Sequence, residues 1–137
     1  MCVADGQTVV LKQAANDLVA VEAARRVQHE YGLLRLLRGD GVIGVREIIR
    51  DGSHVALIIE NFGEALATWI AGRRFSLGEA LDVGIELARI LARIHAAGVV
   101  HRDINPQNIL YDPASRTAKV IDFGVAKAAL RLTAIPE

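Results

Sequence analysis

His101-Arg102-Asp103-Ile104-Asn105-Pro106-Gln107-Asn108, followed fourteen residues after Asn108 by Asp122-Phe123-Gly124, is the stretch on which the fold turns. The first part begins shortly after Gly98, which reads as a helix stop; the second ends the apolar run Ala118–Ile121. Phosphoryl transfer needs a carboxylate that orients and deprotonates an acceptor hydroxyl, and further oxygen ligands for Mg²⁺. Mg²⁺ takes a few carboxylate or amide oxygens alongside waters and phosphate. Asp103 suits the first task, Asn108 and Asp122 the second. A short hairpin of Ile109–Tyr111 and Ala118–Ile121, turning through Asp112-Pro113-Ala114-Ser115, brings the two loops towards one point. Each piece alone reads as an Asx turn at a strand end; both at this spacing favour the chemistry.

Upstream, Thr8-Val9-Val10-Leu11 is a β-branched run after the turn signal Asp5-Gly6, and it ends at Lys12. Asn16 or Asp17 caps a helix to about Leu37, with Val19, Ala23, Val27, Leu33, Leu34 and Leu37 at helical spacing. Val42–Ile49 and His54–Ile59 flank Asp51-Gly52-Ser53 as a hairpin. Past Asn61-Phe62-Gly63 the chain turns helical: a short helix over 64–71, then a longer one capped by Ser76 and running from about Leu77 to Ala97. Ala80, Leu81, Val83, Ile85, Leu87, Ile90, Leu91 and Ile94 cover most of its circumference, so burial is expected on most sides. What precedes it covers one flank only, and a further helical layer is expected to be missing.

The chain has 137 residues, 52% of them hydrophobic, and its 16 basic and 16 acidic side chains cancel. That apolar content excludes a disordered chain, and the charge balance argues against a general nucleic-acid binder. Lone Cys2 forms no internal disulfide, which fits a reducing, cytoplasmic setting. No secretory signal and no membrane span are expected: MCVADGQT lacks an apolar core, and no run approaches ~20 uncharged apolar residues. Only Lys12, Lys119 and Lys127 are lysine, so the placing of each is informative. Gly39-Asp40-Gly41-Val42-Ile43-Gly44 matches a dinucleotide fingerprint, but with helix before and strand after, the reverse of what that motif requires. A helix stop and a tight loop explain it. Arg38-Gly39-Asp40 is a coincidental adhesion-like tripeptide.

His-Arg-Asp-x-x-x-x-Asn followed by Asp-Phe-Gly resembles the protein kinase family, and Val9-Val10-Leu11-Lys12 is similar to its VAIK-type strand. The resemblance implies an α+β, two-lobed kinase-like fold, present in part: residues 1–63 as the small lobe from about its second strand to the hinge, and 64–137 as the large lobe to just after Asp122-Phe123-Gly124. It implies ATP and Mg²⁺ as cofactors, with Asp103 as base, Asn108 and Asp122 as metal ligands, and Lys12 on the α- and β-phosphates. Glu30 best fits the register of the helix glutamate that pairs with Lys12; Glu22 is the alternative. Glu60-Asn61-Phe62-Gly63 resembles the hinge, whose backbone meets the adenine edge, with Ile59 guarding the inner pocket and Val10 and Leu110 closing on the ring. Leu34, His101 and Phe123 would stack as a hydrophobic column.

Most Ser/Thr protein kinases carry lysine two residues after the catalytic aspartate; here Asn105 stands there, supplying no charge towards a γ-phosphate. DINPQNIL is similar to the kinase domains at the front of large bacterial signalling proteins that carry an ATPase-like region and often a histidine kinase. Eleven residues precede Lys12 without a Gly-rich loop and fifteen follow Asp122, so a domain truncated at both ends is expected. Flanking kinase segments or adjoining signalling domains are the implied missing partners. Thr133 is the one hydroxyl in 125–137 able to serve as an activation-segment acceptor, and Pro136-Glu137 echoes the family's close of that segment. The implied activity is transfer of the ATP γ-phosphate to Ser/Thr hydroxyls of protein substrates. The competing readings are a kinase-like module that binds nucleotide or partners without turnover, and a small-molecule phosphotransferase of the same fold. Asp122-Phe123-Gly124 disfavours the last.

Overall fold

The computed structural model describes residues 2–4, 7–13, 20–39, 41–52, 54–72 and 75–128. The Asp5-Gly6 turn, the Asn16/Asp17 cap, Asp40, Ser53, Thr133 and Pro136-Glu137 lie outside the described residues.

Strands β1 (Cys2–Ala4), β2 (Gln7–Gln13), β3 (Val45–Asp51) and β4 (His54–Glu60) form one antiparallel sheet in the order β1-β2-β4-β3. Central β4 reads His-Val-Ala-Leu-Ile-Ile-Glu and buries Val55, Leu57, Ile58 and Ile59, as a strand covered on both faces must. Val10 stands opposite Ile59 and Lys12 opposite Leu57. Helix α1 (Ala20–Leu36) packs on this sheet through Val27, Leu33 and Leu34, and Glu30 is buried among them.

The strand expected from Val42 begins only at Val45. Residues 41–43 instead bond to strand β8 (Thr117–Val120): the Val120 N–H donates to Gly41 O at 2.8 Å and the Ile43 N–H to Val120 O at 3.2 Å. Backbone groups committed there cannot also pair with β4. Gly41 is required for this approach, since its φ is +86° and a Cβ would lie 2.3 Å from Ile90 Cγ1. The glycine pattern at 39–44 is thus a tether between the two halves of the chain.

Residues 64–65, expected to be helical, form strand β5 (Glu64–Ala65) against β7 (Ile109–Asp112), with Glu64 opposite Tyr111. Edge pairing overrides the helical propensity of Glu-Ala-Leu-Ala, and helix α2 (Leu66–Gly72) begins after it. Gly63 makes room at φ +44°, where a Cβ would lie 2.5 Å from Tyr111 O. Helix α3 (Leu77–Ala96) starts at a capping box in which Ser76 Oγ accepts the Glu79 N–H at 3.2 Å and Glu79 accepts the Ser76 N–H at 2.9 Å.

Val83, Ile90 and Ile94 bury one side of α3, whereas Leu77, Leu81 and Ile85 are 77%, 56% and 50% exposed. β7 and β8 form the expected hairpin; β6 (Val99–Val100) and β9 (Lys127–Ala128), which local pattern does not signal, pair with each other. One core runs through both halves, joining Leu34 and Leu57 to Ile94, Val120 and Phe123. Among the described residues no helix is long and apolar enough to cross a membrane.

Candidate active site

Lys12 is carried on β2 and points into the space between α1 and the β8 end. Its Nζ lies 2.8 and 2.9 Å from the two oxygens of Glu30 and 3.0 Å from Asp122 Oδ1. Glu30 is 3% exposed, so its charge needs these partners; Oε1 also accepts the Phe123 N–H at 3.1 Å. Glu22, the alternative, lies on the exposed side of α1, 3.7 Å from Arg26.

Asp122 follows β8 with φ +64°, a left-handed backbone that aims its carboxylate back at Lys12. Burial pushes the Asp122 carboxyl up, but the hydrogen bond and charge of Lys12, with the Gly124 N–H, outweigh it and hold the group below its ordinary 3.8. One ammonium facing two carboxylates leaves a local negative surplus, which suits a divalent cation.

Phe123 is wholly buried, its ring 4.6 Å from that of His101 in an edge-on contact, and Leu34 belongs to the same core. His101 Nδ1 accepts the Asp103 N–H at 3.2 Å, which puts the ring proton on Nε2, where it is donated to Ile121 O at 2.9 Å. The histidine therefore ties the two loops together. Asn108 adds a second tie, its carbonyl accepting the Ile121 N–H at 2.9 Å.

Asp103 is exposed at the loop surface with each carboxylate oxygen held by an amide: Oδ2 by Asn108 Nδ2 at 3.0 Å and Oδ1 by Asn105 Nδ2 at 3.1 Å. Asn108 Nδ2 also donates to Asp103 O at 3.0 Å. With its NH₂ turned to Asp103, Asn108 presents Oδ1 on the other side of the amide. That oxygen and the Asp122 carboxylate are hard donors of the kind Mg²⁺ takes, so the residues present fit the ion. Among the described residues, no group of three His, Cys, Asp or Glu forms a metal cage of its own.

Val10 and Leu110 are half-buried and Ile59 is buried. The Glu60 N–H is committed to Gly44 O at 2.9 Å, and its side chain accepts the Gly44 N–H at 2.6 Å and pairs with Lys119. Lys119 also sits 4.7 Å over the Phe62 ring. The side chains of Glu60 and Phe62 thus serve to fasten the joint to β8. In the sequence, Lys119 stands out only as one of few lysines. His29 Nε2 lies 2.8 Å from Ala126 O, linking α1 to the segment after Gly124. Sequence carries no signal for that contact, since a helical histidine on an exposed face has no marked partner.

A family model described as the protein kinase domain matches residues 1–134. Ribosomal protein S6 kinase alpha-2 of Mus musculus is 39% identical over 100 residues, covering 69% of this chain and 14% of that protein. Serine/threonine-protein kinase pkn2 of Myxococcus xanthus is 32% identical over 126 residues, covering 89% of this chain and 15% of its own length. Serine/threonine-protein kinase PkaB of Streptomyces coelicolor is 37% identical over 130 residues, with 87% and 31% covered. The chain therefore spans less than a third of the length of each of these relatives.

Proposed function

The chain belongs to the protein kinase family, and on that footing we propose that it binds Mg·ATP between residues 1–63 and 64–137 as small and large lobes, and transfers the γ-phosphate to Ser or Thr hydroxyls of protein substrates in bacterial signalling. The observation that carries the reading is the position of Lys12, bonded at once to Glu30 and to Asp122, residues 18 and 110 positions away. Protein kinases require both the lysine–glutamate pair and the second aspartate in place. The similarity to serine/threonine-protein kinases of the bacteria Myxococcus xanthus and Streptomyces coelicolor supports the substrate class and setting.

Each residue has a task that follows from its chemistry. Asp103 orients the acceptor hydroxyl and takes up its proton as the oxygen attacks. Lys12 holds a positive charge at a fixed point, its ammonium kept from swinging out by Glu30 and Asp122. Asn108 and Asp122 offer the oxygens that hold Mg²⁺. Val10, Ile59 and Leu110 supply apolar surface for the adenine, and the backbone of Glu60–Phe62 its polar edge. Bound Mg·ATP supplies the transferable phosphoryl group and the charge that offsets its oxygens.

The test is transfer of ³²P from [γ-³²P]ATP to a Ser/Thr-containing protein acceptor such as casein, with Asp103→Ala as control. Transfer by the parent that is lost in Asp103→Ala supports the reading; equal signal from both sinks it. A second reading, nucleotide binding without turnover, is favoured by Asn105, whose amide donates to Asp103 and brings no charge to a phosphate. A rise in melting temperature with Mg·ATP, without Asp103-dependent transfer, would select it.

A further inference from the structure

Asn105 stands where most Ser/Thr protein kinases carry lysine, and its side chain is fully occupied within the loop. Oδ1 accepts the Gln107 N–H at 2.9 Å and the Asn108 N–H at 3.3 Å. With the acceptor end fixed in this way, Nδ2 is presented to Asp103, 3.1 Å from Oδ1 and 3.3 Å from the backbone oxygen. Asn108 holds the other carboxylate oxygen at 3.0 Å, and the Asp103 N–H is fixed on His101 Nδ1.

We infer that Asn105 is a positioning residue: it sets the orientation of the Asp103 carboxylate through one oxygen while Asn108 sets it through the other, and it makes no contact with a phosphate. The inference rests on the phosphotransfer reading above. Asparagine is the side chain of this length that both accepts from the loop N–H groups and donates to the carboxylate. Lysine donates but cannot accept, so it would leave the Gln107 N–H without its partner. Aspartate accepts but cannot donate, and would set a second negative charge against Asp103. Each Asp103 oxygen keeps a lone pair for the proton of an incoming hydroxyl, so the clamp fixes direction without blocking the base. Proton transfer to a misaligned carboxylate is slow, since displacement of a reacting group by about 1 Å costs roughly 100-fold. The clamp thus acts on the base in a chain that lacks the phosphate-directed lysine.

Asn105→Asp separates positioning from loop capping, because it keeps the acceptor for the Gln107 and Asn108 N–H groups while replacing the donor to Asp103 with a like charge. In the transfer assay, Asn105→Ala and Asn105→Asp are expected to lower kcat by roughly 10- to 100-fold, with KM for ATP held within about twofold. Asn105→Asp should keep its melting temperature within about 2 °C of the parent, while Asn105→Ala melts lower. Parent-like kcat in Asn105→Asp would reduce the residue to a loop cap and overturn the inference. So would a raised KM with kcat unchanged, which would make Asn105 a nucleotide contact. If the parent itself shows no Asp103-dependent transfer, the proposed function fails, and the clamp is judged by NMR on the ¹⁵N-labelled chain. The Asn105 side-chain amide should be displaced from free-amide shifts in the parent and move towards them in Asp103→Ala, which removes the carboxylate and leaves the backbone contact. An amide signal that ignores Asp103→Ala overturns the inference whatever the activity.

Discussion

Glu30 and Phe123, 93 positions apart, are joined by a 3.1 Å hydrogen bond from the Phe123 N–H to Glu30 Oε1, the same oxygen that Lys12 reaches at 2.9 Å. A single buried carboxylate therefore couples α1, β2 and the loop after β8. Removing one partner of a buried pair costs more than removing both, because the remaining charge is stranded. Lys12→Met is expected to lower the free energy of unfolding by about 3 kcal/mol. The Lys12→Met/Glu30→Gln double variant should lose less than Lys12→Met alone, since glutamine can still accept the Phe123 N–H without carrying charge. Urea unfolding of the three proteins checks this; a double variant weaker than either single would count against the coupling.

Asp122 lies below 3.8 in the folded chain because Lys12 outweighs its burial. A carboxylate whose pKa is depressed by folding contributes stability above its unfolded pKa and loses it as the pH falls through the folded value. This contribution is thus present above about pH 5 and fades below about pH 4. In Lys12→Met, burial acts without its main opponent, and the Asp122 midpoint should rise relative to the parent. Carboxyl ¹³C titration of both metal-free proteins reads the shift, and an unmoved midpoint would remove Lys12 as the cause.

Gly41 combines a φ of +86° with a space already filled by Ile90 Cγ1. Gly41→Ala should cost about 2–4 kcal/mol, from backbone strain together with displacement of a buried side chain. Gly52 is also at positive φ, but open space lies where a methyl group would go. Gly52→Ala should therefore lose only the strain, about 1 kcal/mol. Chemical denaturation of the two variants measures the difference; equal losses would show that the contact with Ile90 carries no weight.

Helix α3 has one supported side and one open one. Ile94→Ala, at 1% exposure, should cost about 3 kcal/mol, whereas Leu81→Lys and Ile85→Lys should each change stability by less than about 0.5 kcal/mol. Ser76→Ala removes the capping oxygen and should cost about 1 kcal/mol. Thermal and urea melts of the four variants check the ordering.

Much of the fold is legible in order and spacing. The run up to Lys12, the helix after Ser76 and the hairpin between Asn108 and Asp122 each follow from local pattern, because alternation, caps and turn residues act within a few positions. Short strands β5, β6 and β9 are not legible. Two residues carry no period, and their strand character comes entirely from a partner elsewhere in the chain. The segment at 41–43 misleads for the same reason: its backbone bonds to β8 rather than β4.

The sequence by itself determined which side chains were available for phosphoryl chemistry, in Asp103, Asn108, Asp122 and Lys12, and which local elements carry them. Only the tertiary structure decided how they meet: Glu30 in place of Glu22 beside Lys12, Asn105 turned to Asp103, and Lys119 spent on Glu60. Spacing along a chain fixes which residues share a helix face or a turn. Contacts across 18, 59 or 110 positions depend on how buried surfaces pack, and the charge that ends up without solvent then selects its partner.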